Sequence, residues 1–356
     1  MSQGSSFAIV SFLGRVNYDF KNRYLLTATV RSDGSSRFSK DKRFGVFPSF
    51  SFAWRVSSEP FFESVPGFSD LKWRISYGIT GDQEIGDFQN VTFYEPGRYN
   101  GGAGIKLRNI ADPDLTWQEN STFNTGFDYE LFEGKFNGSF DFFIGNKKGI
   151  LSAAVVPGTT GFATVTRNGG EIRNTGFEFN INAFVLNRQN FRWQTGFNIS
   201  YLKNEVTALT NDNTLISSYS DLAPTHILKV GEPVASFWGV KYLGVDSETG
   251  ESMFEDLNQD GLIDSDDSQI IGKGLPDFWG GWLNNFYWKN FDLSVFCRYQ
   301  GGVQGYNLVR PTYENMGWSN EGGLYSVYAN NSTNVLDRWR QPGDNAEYPR
   351  ASFINQ

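Results

Sequence analysis

Apolar and polar residues alternate along this chain in one segment after another. In FNGSFDFFI, Phe136, Gly138, Phe140, Phe142 and Ile144 share one side, and Asn137, Ser139 and Asp141 share the other. GFEFNINAFV sets Phe177, Phe179, Ile181, Ala183 and Val185 against Glu178, Asn180 and Asn182. FRWQTGFNISY sets Phe191, Trp193, Phe197, Ile199 and Tyr201 against Arg192, Gln194, Asn198 and Ser200. LKWRISYGI (from Leu71) and FDLSVFCRY (from Phe291) repeat the pattern. A period of two is the mark of β-strands, whose successive side chains point to opposite faces. About ten such segments occur, most roughly 9 to 13 residues long, enough to cross a bilayer at a tilt. Helical periodicity is confined to a short piece near Phe61 to Ser69 and a stretch near Thr333 to Arg340.

The connections alternate in length. Short polar turns are expected at Lys21 to Arg23, Glu133 to Lys135, Asn187 to Asn190 and Lys289 to Asn290. Between them fall long loops over roughly 32–47, 82–114, 147–170 and 203–276. Long loops are uncommon in compact domains, whereas short turns at one end and long loops at the other are the layout of outer-membrane barrels. Aromatic residues crowd the short-turn ends: Tyr18, Phe20 and Tyr24; Phe132 and Phe136; Phe191 and Trp193; Tyr287, Trp288 and Phe291. Rings with an apolar body and a polar tip gather where hydrocarbon meets water. The fold class expected is therefore all-β: an antiparallel transmembrane β-barrel whose aromatic face meets lipid and whose polar face lines a wet interior.

Composition narrows this further. Aromatics make up 17% of the 356 residues, with 33 Phe, 16 Tyr and 10 Trp, yet no apolar run is long enough for a transmembrane helix. A net charge of −8 argues against nucleic acid as a partner, because phosphate binding needs clustered Lys and Arg. The single cysteine, Cys297, excludes an internal disulfide framework and a cysteine-based zinc site. The first residues, MSQGSSFAIVSF, lack the basic-then-apolar layout of a secretory signal.

Longer phrases carry a family resemblance. YLLTATVRSDGSSRFSKDKRFGVFPSFSFAWRVSSEPFF (24–62), LKWRISYGITGDQEIGDF (71–88), LTWQENSTFNTGFDYELFEGKFNGSFDFF (115–143), NGGEIRNTGFEFNI (168–181) and DLNQDGLID with IGKGLPDFWGG downstream come in this order. Together they closely resemble the SusC/RagA family of TonB-linked outer-membrane transporters, over nearly the whole chain. The resemblance implies a plugged barrel of about 22 strands in the bacterial outer membrane. It also implies import of glycan fragments or peptides, a SusD-like surface lipoprotein as lid, and energy from the TonB complex through an N-terminal region. Family members begin with a signal peptide, a TonB-contacting segment and a plug, none recognisable before Ser11, and they end in further strands beyond a stretch like YPRASFINQ. Residues 1–356 are therefore expected to be a partial barrel domain of roughly ten strands, with long extracellular loops.

One loop stands apart. DLNQDGLIDSDD (256–267), within an extracellular loop expected over 246–275, places oxygen ligands at the positions of an EF-hand-like calcium loop. These are Asp256, Asn258, Asp260, the carbonyl of Leu262, Asp264 and Asp267, with Gly261 at the tight turn and Ile263 as apolar anchor. The plain alternative is a solvated Asp/Asn/Gly turn. Without flanking helices a bound Ca2+ would be a structural clip, not a switch. Catalysis finds no constellation: His226 is the only histidine, and GxSxG, HExxH and Walker motifs are absent, so the chain is not expected to be an enzyme. Loop aromatics Phe88, Phe93, Tyr94, Tyr99, Trp117, Trp279, Trp318 and Tyr325 suit stacking on sugar rings and equally suit packing among loops. Two rivals stand beside the transporter: a passive porin or adhesin barrel, and a secreted β-rich carbohydrate-binding protein with a calcium clip.

Overall fold

The computed structural model describes residues 6–99, 101–209, 214–216, 225–307, 309–314 and 331–351. Ten strands form one antiparallel sheet in which each pairs with its successor. They are β1 (Ile9–Phe20), β2 (Tyr24–Ser35), β3 (Phe44–Arg55), β4 (Phe68–Asp82), β5 (Gln118–Leu131), β6 (Phe136–Lys148), β7 (Glu171–Arg188), β8 (Phe191–Ala208), β9 (Phe278–Trp288) and β10 (Phe291–Gly301). The all-β, antiparallel expectation holds.

Register decides what this sheet offers its surroundings. One row of paired residues runs Phe20, Tyr24, Trp54, Trp73, Phe127, Phe140, Phe179, Ile199, Gly280, Tyr299 across all ten strands. The next row runs Asp19, Leu25, Ala53, Arg74, Gly126, Asp141, Glu178, Ser200, Trp279, Gln300. Each strand's alternation is therefore in phase with its neighbours', and a slip of one residue anywhere would carry a whole strand's aromatic set to the polar side. Phe140, Phe179, Phe197 and Leu293 share the apolar face, where Phe140 is 41% and Leu293 59% exposed. They do not close over one another as a soluble core.

Glycine at two positions lets a tyrosine lie flat. Tyr129 on β5 pairs with Gly138 on β6, and its hydroxyl donates to the carbonyl of Asn180 on β7, 3.1 Å away. Tyr299 on β10 pairs with Gly280 on β9 and donates to the carbonyl of Asn198 on β8 at 2.6 Å. A Cβ on either glycine would run into both the tyrosine hydroxyl and that same carbonyl. Each clamp joins three strands with one side chain.

The two ends of the sheet differ as expected. β1 turns into β2 through Lys21 and Asn22, both at positive φ (56° and 55°), and the Arg23 N–H donates to Phe20 O. That left-handed pair twists with the strands, which is why it suits a tight hairpin. The helix expected near Phe61 to Ser69 does not form. Only a 3-10 turn, Val56–Ser58, precedes β4, because Pro60, Pro66 and Gly67 interrupt any helix there. The stretch near Thr333 to Arg340 likewise shortens to a 3-10 turn, Thr333–Asp337, with the Ser332 hydroxyl accepting from the Asn334 N–H. The loop expected over 32–47 is shorter too, since Ser32, Asp33 and Gly34 stay paired with Val46, Gly45 and Phe44.

The chain divides into two units. The ten-stranded sheet lies in the first, which comprises residues 1–214, 229–233 and 276–302. Its small core, Phe38, Phe47, Ile85, Leu115 and Trp117, sits among the long connections, with Ile79 and Leu151 packed against it. The second unit, 215–228, 234–275 and 303–356, holds short strands including Ser236–Val240 and Ser268–Lys273 and a short helix, Arg310–Glu314. Within it Gly250, at φ +74°, lies under Trp339, whose indole donates to Ser247 O.

Replacing Gly138 by valine in the full-length protein is expected to destabilise it by about 1–3 kcal/mol, the usual penalty of overpacking. Restoring space with Tyr129→Ala in the same chain should recover part of that loss. Urea titration in detergent micelles followed by intrinsic fluorescence reads both; equal midpoints for wild type and Gly138→Val would refute the clamp.

Candidate functional site

On the polar face, charges meet across strands. Arg74 on β4 donates from Nε to Asp128 on β5 and from Nη2 to Asp141 on β6, each at 3.0 Å. Lys72 pairs with the same Asp128 at 2.7 Å. Two cations and two carboxylates thus balance on three neighbouring strands. Farther along, Asn174 accepts from the Asn204 amide at 2.7 Å, and Asn137 accepts from Asn182 at 3.4 Å. This wall is polar, paired and near neutral, the character of a water-facing surface rather than of a dry core. Apolar side chains also occur on this face, among them Leu25 on β2, Phe143 on β6 and, on β9 and β10, Leu283 paired with Phe296.

The apolar face solves a different problem. A tryptophan facing hydrocarbon still carries an N–H, and no water is available there to accept from it. Trp73 donates to Thr125 Oγ1 at 3.0 Å, Trp193 to Asn284 Oδ1 at 3.1 Å and Trp282 to Thr195 Oγ1 at 2.9 Å. Alternation alone reads Thr125, Thr195 and Asn284 as interruptions. The structure shows each to be the acceptor for an indole on the neighbouring strand. At the short-turn end the aromatics form a band: Tyr18, Phe20, Tyr24 and Trp54 stack in succession with centroids 6.3–6.5 Å apart. Glu59 anchors it, accepting from the Tyr24 hydroxyl at 2.6 Å and the Trp54 indole at 3.1 Å while pairing with Arg23 at 3.3 Å. The Tyr24 and Trp54 hydrogen bonds hold its carboxyl below the ordinary glutamate range.

The six residues singled out as metal ligands share one loop, but the side chains of the five polar ones accept from its own backbone. Asp267, fully buried, accepts from the N–H of Leu257 at 2.8 Å and of Asp264 at 2.9 Å. Asp256 Oδ2 accepts from Gly261 N–H at 2.9 Å, with Gly261 at φ +83°. Asn258, Asp260 and Asp264 accept from the N–H groups of Asp260, Leu262 and Asp266. Among the described residues no group of three or more His, Cys, Asp or Glu side chains converges to hold a metal ion. Asp256 Oδ1 is buried with no hydrogen-bond partner. Ile263, expected as an apolar anchor, is 48% exposed, and the loop's other apolar residues, Leu257 and Leu262, are exposed as well and supply no core for it.

The expected loop aromatics separate. Trp117 packs between Phe38 and Phe47 at centroid distances of 5.3 and 5.4 Å and donates to Arg43 O, so it belongs to the core. Trp279 lies inside β9, not in a loop. Phe88 meets Phe93 edge-on at 5.9 Å, and Tyr94 begins a hairpin, Tyr94–Tyr99 with Gly102–Leu107, that projects its own ring outward. Trp318 and Tyr325 lie outside the described residues. His226 packs edge-on to Phe237 at 5.1 Å, with the Thr225 hydroxyl 2.8 Å from its Nδ1.

Against known proteins, the family model described as "TonB dependent receptor-like, beta-barrel" matches residues 2–308. A TonB-dependent receptor of Formosa agariphila is 32% identical over 368 residues, covering 96% of this chain and 35% of the relative. The TonB-dependent receptor SusC of Bacteroides thetaiotaomicron is 37% identical over 312 residues, covering 82% and 31%. Among solved structures, the RagAB peptide transporter superposes with a TM-score of 0.83 at 25% identity, covering 98% of this chain and 39% of that one. The open-open state of the RagAB peptide importer gives a TM-score of 0.86 at 24% identity. The chain spans about a third of the length of the curated relatives it matches.

Two predictions follow from these geometries. Thr195→Val in the full-length protein leaves the Trp282 N–H unpaired and is expected to destabilise it by about 1–3 kcal/mol. The double variant with Trp282→Phe should lose much less, and a thermodynamic cycle by urea titration in micelles distinguishes this from simple loss of packing. The second concerns acid. The Asp264 N–H holds the Asp267 carboxyl below its ordinary value of 3.8, burial opposes this, and the N–H groups of Leu257 and Asn258 add to the lowering. A lowered folded-state pKa stabilises the loop above 3.8 and loses that contribution as pH falls through the lowered value. Exchange protection of the Leu257 and Asp264 amides should therefore be flat from neutral pH down to about 4 and fall only below it. Asp267→Asn should weaken one of these two protections at neutral pH.

Proposed function

The chain belongs to the TonB-dependent receptor β-barrel family, and from that membership we propose that it forms part of the wall and loops of an active importer in a bacterial outer membrane. Members of this family are outer-membrane proteins. The cargo proposed is a glycan fragment or a peptide, captured with a SusD-like surface lipoprotein and moved with energy relayed by the TonB complex. The observation that carries the proposal is the ten-strand register, which keeps an aromatic face against lipid and a balanced polar face toward water. The likeness to the RagAB peptide transporter supports a peptide as cargo, and the resemblance to the SusC/RagA family supports a glycan fragment. The exposed apolar face speaks against the secreted, soluble rival, which would need to cover it.

A passive pore differs from this importer in needing no energy. Uptake of labelled oligosaccharides and oligopeptides by cells carrying the intact gene, its deletion, and the intact gene in a background lacking TonB tests the difference. Import lost in both the deletion and the TonB-less cells is expected; import that persists without TonB would establish the passive reading instead.

A second reading concerns the 256–267 loop. We propose that it accepts Ca2+ as a clip, through Asp256, Asn258, Asp260, the Leu262 carbonyl, Asp264 and Asp267. Its support is the unpartnered Asp256 Oδ1 together with the Gly261-to-Asp256 hydrogen bond, which already sets the tight turn that such a loop requires. Binding would draw carboxylates off backbone N–H groups and toward the ion. Hydrogen exchange over 254–268 of the full-length protein should slow on adding millimolar Ca2+ and not on adding Mg2+, and Asp256→Ala should abolish the effect. Unchanged exchange in Ca2+ would remove the clip.

A further inference from the structure

We propose that the second unit holds a subsite for a neutral sugar ring, a cleft of about 670 Å3 between the strands Ser236–Val240 and Ser268–Lys273, the segment 304–307 and the helix Arg310–Glu314. The proposal rests on the import function given above and specifies where one part of a glycan cargo is gripped.

The cleft's apolar side is built by pairing geometry. Phe237 pairs with Gly272 and Trp238 with Ile270, which leaves Ile271 as the extra residue of a β-bulge. A bulge re-aims the side chain of the residue it adds, and Ile271 lines the cleft, 39% exposed. Phe237 is nearly buried, edge-on to Tyr306 at 5.7 Å. Tyr306 lines the same cleft and stays 42% exposed. Tyr306 is thus held by two rings, Phe237 and His226 (6.2 Å, tilted), while keeping a large exposed surface, and an aromatic ring so held and exposed is one on which the C–H face of a pyranose rests well.

The polar side supplies donors without supplying charge. Gln304 uses its side-chain oxygen to accept from Lys273 N–H at 3.3 Å. Asn307 uses its oxygen to accept from the N–H groups of Val309 and Arg310 at 3.1 and 3.2 Å. Both amides are oriented by these bonds, and both NH2 groups remain without a partner among the described residues. The two charged lining residues neutralise each other: Arg310 donates to Glu314 at 2.5 Å and to the Tyr348 hydroxyl at 2.9 Å, and Glu314 also accepts from Asn334 at 3.1 Å and from Tyr348 at 3.2 Å. A carboxylate or ammonium group entering here meets a charge pair that is already matched and partly open to solvent, and so gains little attraction from it. A ring of hydroxyls with an apolar face meets both sides of the cleft, and that selects neutral saccharide over uronate or peptide terminus.

The test uses the full-length receptor in detergent micelles, titrated calorimetrically with neutral hexasaccharides of glucose, mannose and xylose, a uronate hexasaccharide and a mixed oligopeptide pool. At least one neutral hexasaccharide should bind more tightly than the uronate. Tyr306→Ala should weaken it about tenfold and Tyr306→Phe little, while Gln304→Ala and Asn307→Ala each weaken it about threefold. Should Tyr306→Ala fail to fold, the double variant Gln304→Ala with Asn307→Ala decides alone. Wild-type affinity in these variants, or a preference for the uronate, overturns the subsite and leaves the import function standing. A receptor that binds and imports only the peptides overturns the subsite while keeping the importer. Loss of energy-dependent uptake for every cargo fails the importer itself, whatever the variants bind.

Discussion

Within hydrocarbon a backbone N–H or C=O that finds no protein partner finds none at all, and the ten-stranded sheet is arranged around that condition. Ten strands paired in sequence satisfy it through the interior of the sheet, and pairing in turn forces a register. Because side chains alternate with period two, one register sends all the aromatic sets one way and another would scatter them. The row from Phe20 to Tyr299 is the visible outcome. Local sequence pattern, strand pairing and the medium outside are three statements of a single requirement.

The same condition reaches into side chains. Trp73, Trp193 and Trp282 each bring an N–H to the apolar face and each finds an oxygen on the neighbouring strand, while Glu59 gathers the hydroxyl, indole and guanidinium at the short-turn edge. On the opposite face the rule relaxes, since water can solvate what protein does not. There Arg74 is shared between two carboxylates and asparagines pair loosely, and long connections can carry binding functions because they sit where solvent meets the chain.

How far this was legible in the chain depended on whether a feature is local. Alternation within nine residues predicted the strands, and turn residues such as Lys21 and Asn22 predicted the tight ends, because both are short-range effects. Thr125, Thr195 and Asn284 looked like defects, since their partners lie on other strands and pairing distance is invisible in one dimension. Trp279 was placed among loops for the same reason: only the register reveals it as wall, whereas Trp117 does lie in a connection and packs there against Phe38 and Phe47. The helix near Phe61 failed on prolines whose veto outweighs a weak periodicity. In the 256–267 loop the spacing of oxygens was legible and their use was not, because backbone N–H groups compete for the same lone pairs at the same short range.

The tyrosine clamps have a consequence for how such a sheet comes into being. Tyr129 reaches past its immediate neighbour, so a lone hairpin of β5 and β6 presents a hydroxyl with nothing to bond until β7 arrives. Tyr299 sets the mirror condition on β8, β9 and β10. Strands added one at a time would each pass through an incomplete stage, whereas triplets docking together would not. The chain thereby carries its own incentive to assemble in groups of three, written in where a glycine faces a tyrosine.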